Sequence, residues 1–340
     1  MSETVFVSGA TGFIAQHICK LLLDKGYTVI GSARSEAKGE HLAQLLNSTK
    51  FSYVVVPDVQ FEGAFDDVLA KNPQISVFLH TASPFHFKAT NVEDELLKPA
   101  VHGTKNALKS ITKHGNNVKR VVITSSYAAI STAESEADPS VVNNEKTWNQ
   151  ITWEESKRDP VSGYRGSKKF AELAGWDFVK EQKPNFIINY VNPSFVFGPQ
   201  AFDSEVKDNL NTSSEIINNL LKLTPESQIP PTRGGFVDVR DVAKAHLIAF
   251  EKPIENERLL MNAGRFCSQD LLDVLNAKFS ELKGKIPVGE PGTGHLVNDA
   301  MCKIENEHTK SILGFKLIDL ETTVYDSVKQ ILDAKKGSKI

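Results

Sequence analysis

The stretch VFVSGATGFIA, Val5–Ala15, decides how the rest of the chain is read. Its first residues are β-branched and aromatic, as a strand requires. Glycines follow at 9 and 12 and an alanine at 15, and then apolar residues Ile14, Ile18, Leu21 and Leu22 fall on one helical face. A strand that passes through a G-x-x-G-x-x-A turn into a helix is a variant of the dinucleotide fingerprint. Gly9 makes the tight turn, Gly12 lets the backbone approach a pyrophosphate, and the small Ala15 allows close packing of helix on strand. The helix N-terminus adds unpaired N–H donors and positive potential for the phosphates.

Further along, TVIGSAR from Thr28, FSYVVVPD from Phe51, ISVFLHTAS from Ile75, VKRVVITSS from Val118 and FIINYVNPS from Phe186 are nearly continuous apolar runs. Such runs suit parallel strands covered on both faces. Helical patterns alternate with them, so the expected class is α/β, a Rossmann-type doubly wound parallel sheet. After Pro193 the rhythm changes to segments richer in Asn, Pro, Ser and Gly. The expected layout is a nucleotide-binding domain over 1–192, with 234–260 returning to it, and a smaller C-terminal substrate lobe made of 193–233 and 261–340.

Composition narrows the partners. The 340 residues are 40% hydrophobic and 24% charged, with a formal charge of −3, which disfavours nucleic acid as a partner. No apolar run reaches the roughly 18 residues of a membrane span. The opening MSETVFVSGA lacks the charged and apolar regions of a secretory signal. Cys19, Cys267 and Cys302 are odd in number and far apart, which fits a reducing compartment better than a disulfide framework. A cytoplasmic protein is therefore expected, with the final GSKI read as a solvated basic tail rather than a peroxisomal signal. Neither H-E-x-x-H nor C-x-x-C occurs, so no metal site is expected.

The end of the second strand bears on which dinucleotide is bound. NAD sites usually carry an acid about 20 residues beyond the glycine turn, on the ribose 2′-hydroxyl. This chain has Ser32, Arg34 and Lys38 there. A guanidinium fork and an ammonium suit a 2′-phosphate, which favours NADPH, provided Glu36 points away.

The chemistry is read from two later segments. Ser125 and Ser126 end the strand VKRVVITSS, where a doubly wound sheet places its ligand crevice. Some forty residues on comes SGYRGSKKFAE, with Tyr164 one helical turn before Lys168. A serine to bind a carbonyl oxygen, a tyrosine to protonate it and a lysine to hold the phenol's pKa down make a coherent reduction device.

Together GATGFIA, TSSYAA, the Y-x-x-x-K pair and VDVRDVAKAH resemble the extended short-chain dehydrogenase/reductases. Within them the chain is similar to the fungal NADPH-dependent methylglyoxal reductases, also called 3-methylbutanal (isovaleraldehyde) reductases, through almost its whole length. The resemblance implies a catalytic set of Ser126, Tyr164 and Lys168, with Lys168 also on the nicotinamide ribose. It implies cofactor contacts from Gly9, Ala10, Thr11, Gly12, Phe13 and Ile14 in the glycine turn, and from Arg34 and Lys38 on the 2′-phosphate. Asp58 and Val59 fall at the adenine end, and Val196 and Ser213 match further cofactor contacts. Phe85, Tyr127, Val161 and Phe195 would wall the substrate pocket. Small-molecule carbonyl substrates are implied, and a homodimer is common in the superfamily. The chain departs from the wider pattern at Ala100, where many members carry an active-site asparagine. Phe195 stands where close relatives often carry Tyr, and Arg165 is an unusual neighbour for Tyr164. Two other readings compete: a catalytically silent NADP-sensing regulator, which would typically have lost the tyrosine or lysine, and a sugar-nucleotide epimerase, which would carry an acid in place of Arg34.

Overall fold

The computed structural model describes residues 3–83 and 89–337. Phe85, read above as a pocket wall, lies outside the described residues. Twelve strands occur among those described. They are β1 (Thr4–Ser8), β2 (Thr28–Ala33), β3 (Phe51–Val55), β4 (Ile75–His80), β5 (Arg120–Thr124) and β6 (Val142–Asn143), then β7 (Ile187–Pro193), β8 (Phe195–Phe197), β9 (Arg233–Asp238), β10 (Arg258–Met261), β11 (Gly264–Cys267) and β12 (Lys303–Ile304).

The chain forms two compact units. The first holds residues 1–132, 145–192 and 243–260 and is built on a seven-stranded sheet of order β10-β7-β5-β4-β1-β2-β3. β1 pairs in parallel with both β2 and β4, so the chain winds outward in two directions from β1. β3 joins β2, β5 joins β4 and β7 joins β5, all in parallel, which is the doubly wound Rossmann arrangement. Every residue of β1 is buried, because helices cover both faces. Phe6, Phe65 and Phe78 cluster on one side of this sheet, with ring centroids 4.7–5.9 Å apart. Ile111, Val121, Ile188 and Tyr190 extend the same core.

The second unit holds residues 133–144, 193–242 and 261–340. Its three-stranded sheet has the order β11-β9-β8, and a two-stranded ladder pairs β12 with β6. Phe197, Phe236 and Phe266 pack with Leu271, Leu275, Val324 and Val328 as its core. These divisions differ from the sequence reading in two places. The strand expected to return to the first sheet near residue 234 is β9, but its edges are taken by β8 and β11, and β10 completes the large sheet instead. The short segment 133–144 leaves the first unit because β6 pairs with β12.

The helix Pro160–Gln182, which carries Tyr164 and Lys168, is started firmly. Asp159 accepts hydrogen bonds from the backbone N–H groups of Val161 and Ser162, both at 2.9 Å, and Pro160 takes the first helical position. Gly175, on the same helix, faces Tyr190 of β7 so closely that a Cβ there would collide with the phenol hydroxyl.

Candidate active site

A cleft of about 640 Å³ lies beyond the C-terminal ends of β1, β2 and β4, at the point where the strand order reverses. Gly9, Thr11 and Gly12 line it, as do Arg34, Lys38, Asp58 and Val59. The glycine turn is braced from two sides. Gly9 N–H donates to Ser32 Oγ at 2.9 Å and Ala10 N–H to the Ser32 carbonyl at 2.9 Å, tying the turn to β2. Gly9 has φ +65°, and a Cβ there would stand 3.0 Å from Ala82 Cα, so glycine is required on both counts.

Ser8 supplies the second brace. Its Oγ accepts from the N–H groups of Thr81 (3.0 Å) and Ala82 (3.1 Å), and it lies 2.9 Å from His80 Nδ1. With both lone pairs occupied, the Ser8 hydroxyl donates to Nδ1, which requires an unprotonated nitrogen there. Burial, aided by the Lys168 charge, pushes the His80 pKa down to about 4, consistent with a neutral ring.

Among the turn residues read as cofactor contacts, Ala10 is buried beneath the turn, and Phe13 and Ile14 open the helix Phe13–Asp24. Arg34 and Lys38 are exposed at the rim of the cleft, so their charges are available to a ligand. Glu36 does not line it; its carboxylate engages the Tyr53 phenol. Ser32, Thr81, Ser83, Asp94 and Glu95 also line the cleft, and apart from Ser32 none of them carried a signal in the sequence.

The three catalytic candidates come together in the first unit. Ser126 follows β5 and caps the short 3-10 helix Tyr127–Ala129, accepting from Ala128 N–H at 3.1 Å. The Tyr164 hydroxyl lies 3.1 Å from Ser126 Oγ. Lys168 Nζ stands 6.0 Å from the Tyr164 ring centroid, one turn along the helix. Lys168 is half-buried, and desolvation lowers its pKa to about 8. Tyr164 departs from the sequence expectation: burial raises its pKa, and the Ser126 hydrogen bond and the charge of Arg165 oppose that rise. The arginine next to Tyr164 in sequence thus places a positive charge that favours the phenolate. Its guanidinium is anchored on the Ser131 carbonyl at 2.9 Å.

The remaining pocket candidates are more scattered. Tyr127 is only 6% exposed, in the 3-10 turn beyond Ser126, whereas Val161 is 54% exposed at the start of the Tyr164 helix. Phe195 and Val196 lie in β8 and Ser213 in the helix Thr212–Leu220, all in the second unit. Among the described residues no cluster of metal-ligating side chains occurs, and no helix is long and apolar enough to cross a membrane.

The chain is 52% identical to the putative NADPH-dependent methylglyoxal reductase of Candida albicans, over 97% of this chain and 99% of that protein. To the NADPH-dependent methylglyoxal reductase of Saccharomyces cerevisiae it is 51% identical, over 97% and 98% respectively. Among solved structures, Gre2 from Candida albicans in complex with NADPH superposes with a TM-score of 0.96 at 57% identity, covering 98% of this chain and 99% of that one. The family model that matches residues 5–264 is the NAD dependent epimerase/dehydratase family, and the chain is a member of it.

Proposed function

We propose that this protein is an NADPH-dependent carbonyl reductase of small aldehydes, α-dicarbonyls and ketones. Methylglyoxal would become lactaldehyde and 3-methylbutanal would become 3-methylbutanol. The observation that carries the reading is the convergence of Tyr164 and Ser126 hydroxyls beside Lys168, in the unit whose cleft is rimmed by Arg34 and Lys38. The relatives named above support both the reaction and the cofactor.

The cleft suits NADPH: the braced glycine turn presents backbone donors to a pyrophosphate, and Arg34 and Lys38 offer a 2′-phosphate two cations with no acid at the same strand end turned toward it. When bound, NADPH supplies the hydride. The chain's own residues manage the oxygen. Ser126 Oγ, with Ala128 N–H already held, turns its own proton toward the substrate carbonyl and fixes its orientation. Burial keeps the Tyr164 phenol protonated, ready to give its proton to the oxygen as negative charge develops there. Lys168 and Arg165 stabilise the phenolate left behind. Phe195, Val196, Tyr127 and Val161 keep the substrate and cofactor roles read for them in sequence as part of this proposal, as does Ser213. So do the cytoplasmic location and the homodimer.

An epimerase would carry an acid in place of Arg34, and a silent regulator would typically lack Tyr164 or Lys168; this chain keeps all three residues. Incubation of the protein with NADPH and 3-methylbutanal, with the alcohol identified by mass, tests the proposal. Stoichiometric 3-methylbutanol is expected. Binding of NADPH without turnover of any carbonyl in a broad panel would make the regulator reading the better one.

A further inference from the structure

Behind Lys168 lies a polar cluster that the catalytic reading does not use. Glu172, one helical turn beyond Lys168, is 2% exposed. Its Oε1 accepts from Arg258 Nε at 2.6 Å and from Trp176 Nε1 at 3.3 Å. Its Oε2 accepts from Ser125 Oγ at 2.5 Å and from Asn192 Nδ2 at 2.8 Å. Four donors converge on this side chain, which suits a carboxylate that only accepts. Arg258 is held independently of Glu172: its guanidinium stacks 3.9 Å from the Trp148 ring and donates to the Glu145 and Thr147 carbonyls. Ser125 adjoins Ser126 in sequence, and Asn192 Nδ2 also reaches the Ser126 carbonyl at 3.3 Å.

Lys168 and Glu172 line one small cavity of about 20 Å³, with Thr104, Thr124 and Ser125. Glu172 is the single acid among its lining residues. Among the described residues, Lys168 Nζ has no direct ion-pair partner. The other titratable groups that face Lys168 are neutral: His80 from β4, whose pKa is pushed down to about 4, and Tyr190 from β7, whose pKa burial raises. Tyr164 lies on its own helix, and Arg258 from β10 stands behind Glu172.

We propose that Glu172 is a positioning residue for catalysis: a fixed buried counter-ion, locked in place by Arg258, Ser125 and Asn192, whose charge across the shared cavity keeps Lys168 an ammonium. The inference rests on the reductase reading. Desolvation alone favours a neutral lysine, and the Glu172 charge is the influence that opposes it. A buried carboxylate that served only Arg258 would have no bearing on Lys168. The bonds to Ser125 and Asn192 also fix the strand ends that carry Ser126, so the same anion orders both partners of Tyr164.

The test is the pH profile of kcat/KM for NADPH-driven reduction of 3-methylbutanal by the intact protein, with NADPH affinity measured alongside. In the wild type the alkaline limb is expected near pH 8 or above; a limb below pH 7 overturns the proposal without any substitution being needed. Glu172→Gln should move the limb toward acid by about one pH unit, while NADPH affinity stays within about threefold. Arg258→Met removes a competing cation and leaves the carboxylate, so its limb should stay in place or move to higher pH. If Glu172→Gln does not fold, Arg258→Met decides, since a shift toward acid there contradicts the proposal. Equal losses of rate in both variants with the limb unmoved would show a purely structural ion pair. A wild type that turns over no carbonyl would instead remove the reductase reading itself, which is a separate failure.

Discussion

The Tyr164 hydroxyl rests 3.1 Å from Ser126 Oγ, although 38 residues separate the two in sequence. The distance is set by backbone on both sides. Asp159 and Pro160 start the helix that presents Tyr164, and the end of β5 with its 3-10 turn presents Ser126. Two hydroxyl protons can therefore meet on one carbonyl oxygen without rearrangement of the chain, which is the preorganisation that carbonyl reduction needs.

On the proposed reading, Arg34 and Lys38 at the cleft rim would set a preference for NADPH over NADH. Arg34→Ala should raise the KM for NADPH by roughly 10- to 100-fold, the worth of about 1.5–3 kcal/mol for a charge-assisted hydrogen bond. The KM for NADH should barely change. Steady-state kinetics with each cofactor measures both, and equal losses with the two would remove the 2′-phosphate role.

His80 makes stability depend on pH. Its folded pKa of about 4 lies below the free value of 6.5, because burial keeps the ring neutral where it accepts from Ser8. Between those values the unfolded chain takes up a proton that the folded chain does not. The contribution is complete above pH 6.5 and is lost as pH falls through about 4. The full loss is about 3 kcal/mol from this one group. Denaturant unfolding at a series of pH values should show that component, and His80→Asn should lack it.

The large sheet was legible in the sequence because its strands are continuous apolar runs, and β1 with its glycine turn also located the nucleotide cleft. Tyr164 and Lys168 were legible because four-residue spacing places side chains on one helix face. The supporting shell was not. Glu172 sits one turn past Lys168 in SGYRGSKKFAE, but a glutamate on a helix reads as a solvated face until Arg258, Ser125 and Asn192 are seen around it. Strand pairing was also hidden: GGFVDV has the look of a core strand, yet β9 joins β8 and β11. The pKa of Tyr164 was misjudged because burial, which raises it, depends on long-range packing that spacing does not reveal.

Gly175 is kept small by packing. A Cβ there meets the Tyr190 hydroxyl, which is itself buried behind β7. Gly175→Ala gains helix propensity but overpacks this contact, so a net destabilisation of about 1–3 kcal/mol is expected. Tyr190→Phe in the same chain should recover part of it. Thermal melts of the single and double variants give the coupling, and a Gly175→Ala protein as stable as the wild type would contradict it.

Phe195 is 38% exposed and stacks against Phe197 and edge-on to Phe266. Phe195→Tyr adds a hydroxyl at this partly exposed ring with little change in shape. We expect the fold and NADPH affinity to be unchanged and the ranking of carbonyls to shift toward the more polar methylglyoxal, by about threefold to tenfold in relative kcat/KM. An unchanged ranking across aldehydes, dicarbonyls and ketones would remove Phe195 from the substrate pocket.

The central claim is that Tyr164 gives the proton to the substrate oxygen. The most direct measurement is single-turnover oxidation of NADPH by 3-methylbutanal with wild type and Tyr164→Phe, after NADPH binding to both has been measured by fluorescence. The account predicts equal binding and a rate lower by about 10²- to 10⁴-fold in the variant. A variant that binds NADPH and reduces the aldehyde at the wild-type rate would contradict it.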